Sequence, residues 1–535
     1  MSNQLMSNQL FLFYLVGILI VFGSSLTVFL NVSYFKCIIP SWASWVLVIS
    51  FAYVPVLQIL KLYTMHMYVD FSHWEEILWS ITQSGLPLSP SSEFINQGTE
   101  NYFSTHFVPL LYLLAVPFKI WPTGETLIIM NFLIITFSIV PLWKLSRHLG
   151  FDKNMSLIWL VIFLWNVTIQ YIALYEFEML RLSIPVFFWI LYFLEQKKWG
   201  LFYVLLIVAL LIREDISLTV FMFGLYMCFV LKDLRRGLPI ITVSTIYFLI
   251  VTQWAMPALN MGGGVAHLNI LSYFANLNQP IEFFINLFDP IKLANIFMIL
   301  LPLLFFPLFG WRILTCCLAV LGVGMLSGSY THLTYMLYYV SASLPFLFYA
   351  LLKGWQQLLV FFKRLPGVSS DNKLLGTAIQ SSLLTSTIVS CIIFGPSPIS
   401  LQFWLEDMRP YPFRTQRHHY SAFELKDHHR IVPNFVNLIQ DDAIVSSEQF
   451  FTPHLFKKKA TMVFPQLINQ DGSIEADYVL IDKFNPLKTG SSNVPGSWRG
   501  LRENSKKYYD IVENNTNKWE LLKKDNGIYL FKRKN

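Results

Sequence analysis

The chain has 535 residues, of which 55% are hydrophobic and 13% charged, against about 25% charged in soluble domains. That balance excludes an ordinary soluble fold and points to a polytopic membrane protein. The net charge of +7 matters less than its placement, and the few basic clusters lack the aromatic interleaving of a nucleic-acid binder.

In chain order, the first element is the apolar run 11–30, behind the duplicated start MSNQLMSNQL. About 20 apolar residues suffice to cross a bilayer. No basic leader or small-residue cleavage site accompanies the run, so a retained helix is expected rather than a signal peptide. Further apolar runs fall at 43–61, 107–121, 126–143, 156–175, 180–194, 200–212, 216–231, 238–257, 293–309, 311–326, 333–352 and 375–394. They predict an all-α polytopic membrane domain of about 12–13 transmembrane helices over 1–400. Two long polar loops interrupt it, 62–106 and 258–292 with its MGGG turn. From 401 to 535 the chain turns polar, and the short runs AIVSS, ATMVF, YVLID and GIYLF predict a small soluble α/β domain.

Lys and Arg in EQKKWG, KDLRRG, GWR and KGWQQLLVFFKR mark one side as cytoplasmic. YEFEMLR (175–181), IREDIS (212–217), loop 258–292, SGSYTHLT (327–334) and the C-terminal domain then face outward. Loop 62–106, with five acidic residues and no Lys or Arg, is also read as external. The basic stretch KLSRHLGFDKN (144–154) fits this scheme in two ways. Either a segment between 107 and 143 is re-entrant, or 156–175 is two half-helices broken near Asn166.

Ionisable groups cost about 2.5–3.5 kcal/mol at mid-membrane, so they need a reason. Asp70, Glu75, Glu76, Glu176, Glu178, Arg181, Arg213, Glu214 and Asp215 end apolar runs on the outer side. They point to a shared water-filled cavity; charged helix ends are the plainer account. In YTMHMYVDFSHWEEILWS (63–80), a helix places His66, Asp70 and His73 on one face. Two imidazoles and a carboxylate there could hold a divalent metal, or form an ordinary polar face. Asp70 alone is a candidate general base. In LLIREDIS, Arg213 either closes a turn as an ion pair or binds an anionic group, with Glu214 or Asp215 positioning a hydroxyl or a cation. His106 and His332 can bind phosphate as cations or serve as hydrogen-bonding residues. RHHYSAFELKDHHR (417–430) reads as a solvated linker, because its adjacent histidines point apart. FKKK (456–459) reads as a solvated basic patch. The five cysteines sit in or beside apolar runs and predict buried thiols rather than a disulfide framework. No P-loop, GxGxxG or GxSxG motif is present.

Five blocks in order carry a resemblance: VDFSHWEEILW (69–79), THFVPLLYLLAVPFKIWP (105–122), LIREDISLTVFMFGLY (211–226), THLTYMLYYVSASLPFLFYALLKG (331–354), and a tail with DDAIVSSEQFFTPHLFKKKATMVFP and ADYVLID. They resemble a family of bacterial membrane proteins known as domain of unknown function 2079. That family is distantly similar to the GT-C glycosyltransferases. YEFE departs from the pattern, because relatives carry an Asp-Phe-His type block and Glu178 stands in place of the His. The resemblance implies a GT-C-like fold in a bacterial inner (plasma) membrane, with the C-terminal domain extracytoplasmic. It implies transfer of a sugar from a polyprenyl-phosphate carrier to an acceptor at the outer face. Asp70 matches the acidic residue of the first external loop and would act as base, with Glu76 behind it. Arg213 is the first choice for the phosphate, with His106, Arg181 and His332 after it, and Glu214 and Asp215 orienting. No cofactor is certain from the sequence, and a divalent metal is the one candidate. The rivals are a lipid-linked-substrate flippase and a non-catalytic assembly protein.

Overall fold

The structure, a computed structural model, describes residues 2–35, 40–67, 69–89, 101–259, 285, 287–327, 330–366, 368, 370–405, 418–468, 475–483 and 505–534. The MGGG turn, most of loop 258–292 and part of loop 62–106 lie outside the described residues.

Among the described residues, five helices are long and apolar enough to cross a bilayer: Phe11–Asn31, Ser41–Tyr63, Gly124–His148, Leu234–Leu259 and Asn372–Phe394. Two bent pairs raise this to seven if each is one span: Lys153–Leu164 with Val167–Leu174, and Tyr338–Lys353 with Trp355–Lys363. Shorter apolar helices fill further expected runs, namely Leu111–Ile120, Trp199–Leu210, Ile216–Val230, Pro290–Leu303 and Ile313–Leu326. A ten-residue helix covers about 15 Å, half the hydrocarbon thickness. Leu111–Ile120 alone is therefore too short for the full crossing expected over 107–121.

The break near Asn166 is present, with a bend of 54°. Asn166 caps the second half by accepting from the Thr168 amide at 3.0 Å. Gln170 Nε2 donates to the freed Leu164 carbonyl at 2.6 Å. Such recapture of backbone groups is what an interrupted helix needs away from water. A second interruption follows Pro302, where Leu304 and Phe305 take left-handed φ of 50° and 61°. Here Ser386 and Thr387 hydroxyls, both at 3.0 Å, donate to the Leu301 and Pro302 carbonyls. Their helix, Asn372–Phe394, also packs along Ser2–Phe35. Gly17 makes that contact close, since a Cβ there would meet the Phe394 ring at 2.6 Å.

The main apolar core runs through Trp159, Phe163, Phe187 and Phe348. A second core lies under the helix Val69–Ser84 and joins Phe71, Trp74, Phe118 and Phe177 to Phe456 of the C-terminal part. That part carries a five-stranded sheet of order β2-β1-β3-β5-β4. Its strands are β1 (Ile444–Ser447), β2 (Ala460–Val463), β3 (Tyr478–Asp482), β4 (Trp519–Asp525) and β5 (Ile528–Arg533). β1 is parallel to both β2 and β3, while β5 is antiparallel to β3 and β4. The four expected runs all form strands; the polar β4 was not expected. Asn526 and Gly527, with φ of 40° and 85°, turn β4 into β5 as an Asn-Gly hairpin does.

The sheet is docked on the helical part. Thr64 donates to the Ala422 carbonyl at 2.6 Å, and His454 Nε2 meets the Leu62 carbonyl at 3.2 Å. The 417–430 stretch is therefore not a solvated linker: His418, His419 and His429 are buried, and His418 packs edge-on against Tyr171. FKKK is also engaged. Lys457 sits 5.5 Å over the Trp79 ring, and Lys458 holds the Ile439 carbonyl and Asp441, each at 2.7 Å. Cys228, Cys316, Cys317 and Cys391 are buried and free.

Candidate functional site

Asp70 lies in the first turn of the helix Val69–Ser84, where a carboxylate complements the positive helix end. It is exposed, and the Tyr175 hydroxyl donates to its Oδ2 at 3.3 Å. Tyr175 leads the YEFE segment, which is placed by the end of the broken span. Gln58 Nε2 ties that end down by donating to the Ala173 and Tyr175 carbonyls at 2.7 and 2.6 Å. Glu178, two positions beyond Glu176, is buried. Burial pushes its carboxyl up to about 7; Arg213 opposes the shift and Asp70 adds to it. Asp70, Glu178 and Arg213 thus share one electrostatic neighbourhood. Tyr102 and Tyr339 lie within reach of all three.

Arg213 forks onto Asp215. Its Nε meets Oδ1 at 2.8 Å and its Nη2 meets Oδ2 at 2.5 Å, the bidentate geometry that suits guanidinium to carboxylate or phosphate. Glu214 instead holds the segment that leads into the helix Leu111–Ile120. Its two oxygens accept from His106 Nδ1 and the Phe107 amide, both at 2.8 Å. The Leu110 amide reinforces this join by donating to the Leu211 carbonyl at 3.1 Å.

Beside these groups opens a cavity of about 500 Å³. His106, Arg213, Glu214, Asp215, His332 and Tyr339 supply its polar lining. Its walls are apolar, from Leu180, Leu218, Phe248, Val320, Val323 and Leu326 among others. His332 is oriented by Ser327 Oγ at 2.5 Å from Nδ1 and by the Tyr339 ring, 4.9 Å between centroids. An apolar slot with one cationic, hydrogen-bonding end accommodates an amphiphile with an anionic head.

Of the residues singled out from sequence, Arg213, Glu214, Asp215, His106 and His332 line this cavity; Asp70 is not part of the lining, but its charge and that of Arg213 both act on Glu178. Three expectations are corrected. The helix does not reach back to His66: it starts at Val69, and Met65 takes a left-handed φ of 60°. His66 Nδ1 instead meets the Thr64 carbonyl at 2.7 Å, on the side facing His428 and Lys426. His66, Asp70 and His73 therefore do not fit a common ion. Among the described residues no three His, Cys, Asp or Glu side chains gather as a metal site. Glu76 is not beside Asp70 but buried, accepting from Ser89 at 3.1 Å and from Thr461 of β2 at 2.7 Å. Arg181 is not in the cavity either. It is fully buried, donates to Asn131 and stacks near the Tyr175 ring.

Tyr175, Tyr102, Tyr339 and Asn131 were not picked out in advance. Aromatic density around the two histidines, in NYFSTH and THLTYMLYY, signals Tyr102 and Tyr339; no local pattern signals Tyr175 or Asn131. Glu75 is a further buried carboxyl. Neither oxygen has a hydrogen-bond partner among the described residues, and burial pushes it well above the ordinary carboxylate range.

The family described as Predicted membrane protein (DUF2079) matches residues 61–530. No curated protein matches the chain. Among solved structures, ArnT from Cupriavidus metallidurans bound to undecaprenyl phosphate is similar at TM-score 0.47 and 12% identity, over 91% of this chain and 97% of that one. The apo oligosaccharyltransferase of Archaeoglobus fulgidus is similar at TM-score 0.41 and 12% identity, over 84% and 70%. These scores are too low to carry residue roles or substrates to this chain.

Proposed function

The chain belongs to the DUF2079 family of predicted membrane proteins, and we propose that it is a membrane glycosyltransferase using a polyprenyl-phosphate-linked sugar. The observation that supports this most is the cavity: an apolar slot whose polar end carries Arg213, His106 and His332, with Arg213 and the exposed carboxylate of Asp70 both acting on the charge of Glu178. The prenyl chain lies along Val320, Val323 and Phe248, and the phosphate meets Arg213. An acceptor hydroxyl loses its proton to Asp70 as its oxygen bonds the anomeric carbon. The bond from that carbon to the phosphate oxygen breaks, and the electron pair leaves with the lipid phosphate. Arg213 and the two imidazoles stabilise that developing charge. Tyr175 orients Asp70 through its hydroxyl. The reaction side is the outer face of a bacterial plasma membrane, with the sheet on the same side.

The test is mass spectrometry of prenyl-linked sugars and surface glycans in a strain lacking the protein. A prenyl-linked sugar that accumulates, with loss of one glycan, is the expected outcome. Unchanged lipid-linked sugars and glycans would overturn the proposal.

A further inference from the structure

The charge of the cavity limits what head group it can hold. Its lining includes one fixed cation, Arg213, and two carboxylates, Glu214 and Asp215. Both carboxylates are already engaged: Asp215 with Arg213, Glu214 with His106 and the Phe107 amide. With neutral imidazoles the lining carries a net charge of about −1, and with His106 and His332 both protonated it reaches only about +1. Among the described residues, neighbouring charges do not change this balance. Lys292 turns its ammonium to the Met325 and Ser327 carbonyls at 2.6 and 2.7 Å. Arg181 is buried with Asn131 and within reach of Glu176 and Glu178. Asp70 and Glu178 add negative charge on the same side. By sequence, 62–106 and 258–291 contain no Lys or Arg at all, so neither loop brings a fixed positive charge.

Resting on the proposed function, we infer that the carrier is a lipid monophosphate and that lipid diphosphates are disfavoured. A sugar joined through one phosphate is a diester with a single negative charge, which the cationic limit of the lining matches. A diphosphate link carries one more charge, and among the described residues the cavity lining has no further cation to meet it. Its walls are apolar, so an unmatched charge there is neither solvated nor paired, which is costly. The Arg213 fork matches two oxygens of one phosphate, and taking them means exchanging Asp215 for the ligand. A second phosphate would sit against Asp215 or Glu214.

The test uses the purified full chain in nanodiscs, with farnesyl methyl phosphate (one negative charge), farnesyl methyl diphosphate (two) and farnesol as probes of equal prenyl length. Binding is followed by thermal shift and by calorimetry. The monophosphate is expected to bind at least about tenfold tighter than the diphosphate, the discrimination that one unmatched charge in a low-dielectric site readily supplies. Asp215→Asn, which removes one negative charge from the lining, is expected to narrow that ratio. A diphosphate that binds equally well or better overturns the inference and leaves the proposed function standing. Phosphates that bind no better than farnesol overturn both, because the polar end then recognises no phosphate.

Discussion

Asp70 and Glu76 are six residues apart on one helix, and the structure gives them opposite consequences on mutation. Asp70→Asn keeps the shape and removes the charge. Asp70 is exposed and, among the described residues, accepts a long hydrogen bond from Tyr175 at 3.3 Å. The stability lost is then only the favourable placement of a carboxylate at a helix N-terminus, about 0.3–1 kcal/mol. Loss of a general base lowers turnover by about 10²–10⁴-fold. Glu76→Gln should do the reverse. Its buried carboxylate accepts from Ser89 and from Thr461, and hydrogen bonds to a charged group contribute about 1.5–3 kcal/mol each. The substitution therefore loosens the sheet from the helix and lowers the unfolding temperature, with a smaller effect on turnover per folded molecule. The assay is release of lipid phosphate from a prenyl-linked sugar by protein in nanodiscs, alongside thermal unfolding of the same samples. Asp70→Asn with turnover within threefold of wild type would refute the assignment of the base. Glu76→Gln with unchanged unfolding temperature would refute the docking role.

Arg213→Lys keeps the charge but loses the fork to Asp215 and to phosphate; it should reduce kcat/KM by roughly 10–150-fold, the equivalent of one charge-assisted hydrogen bond. Steady-state kinetics across donor concentrations check this, and wild-type kcat/KM in the variant would count against Arg213 as the phosphate ligand. A pH effect is expected where the sheet docks. His66 is pushed down to about 4, chiefly by burial; the Thr64 carbonyl opposes this and Lys61, Lys426 and His428 add to it. The unfolded imidazole titrates near ~6.5. The unfolded chain therefore takes up the proton first. The contribution of His66 is intact above about 6.5 and lost as pH falls towards about 4, by at most about 3 kcal/mol. Unfolding temperatures from neutral to acid pH should show this slope, and His66→Gln should flatten it; a slope that survives the substitution assigns it to other groups.

Some of this was settled by the sequence alone. The apolar runs forced a helical membrane protein, because a backbone in lipid must satisfy its own hydrogen bonds. IREDIS together with His106 and His332 named most of the polar lining of the cavity. The strand-like runs near the C-terminus were legible from their β-branched and aromatic content. What the sequence left open were distances between elements. A helix drawn through 63–80 put His66 on the face of Asp70, but a left-handed Met65 ends the preceding helix and turns His66 towards the sheet. Glu76 looked like a partner of Asp70 by proximity in the chain, whereas about 100° of rotation per residue carries it to the side where Thr461 docks. Tyr175 reaches Asp70, and Glu178 feels its charge, only because the span breaks at Asn166 and sets YEFE beside the helix Val69–Ser84. Burial and pairing of charges arise from packing between segments far apart in sequence. A local pattern can nominate such residues, but only the tertiary structure decides which of them share a site.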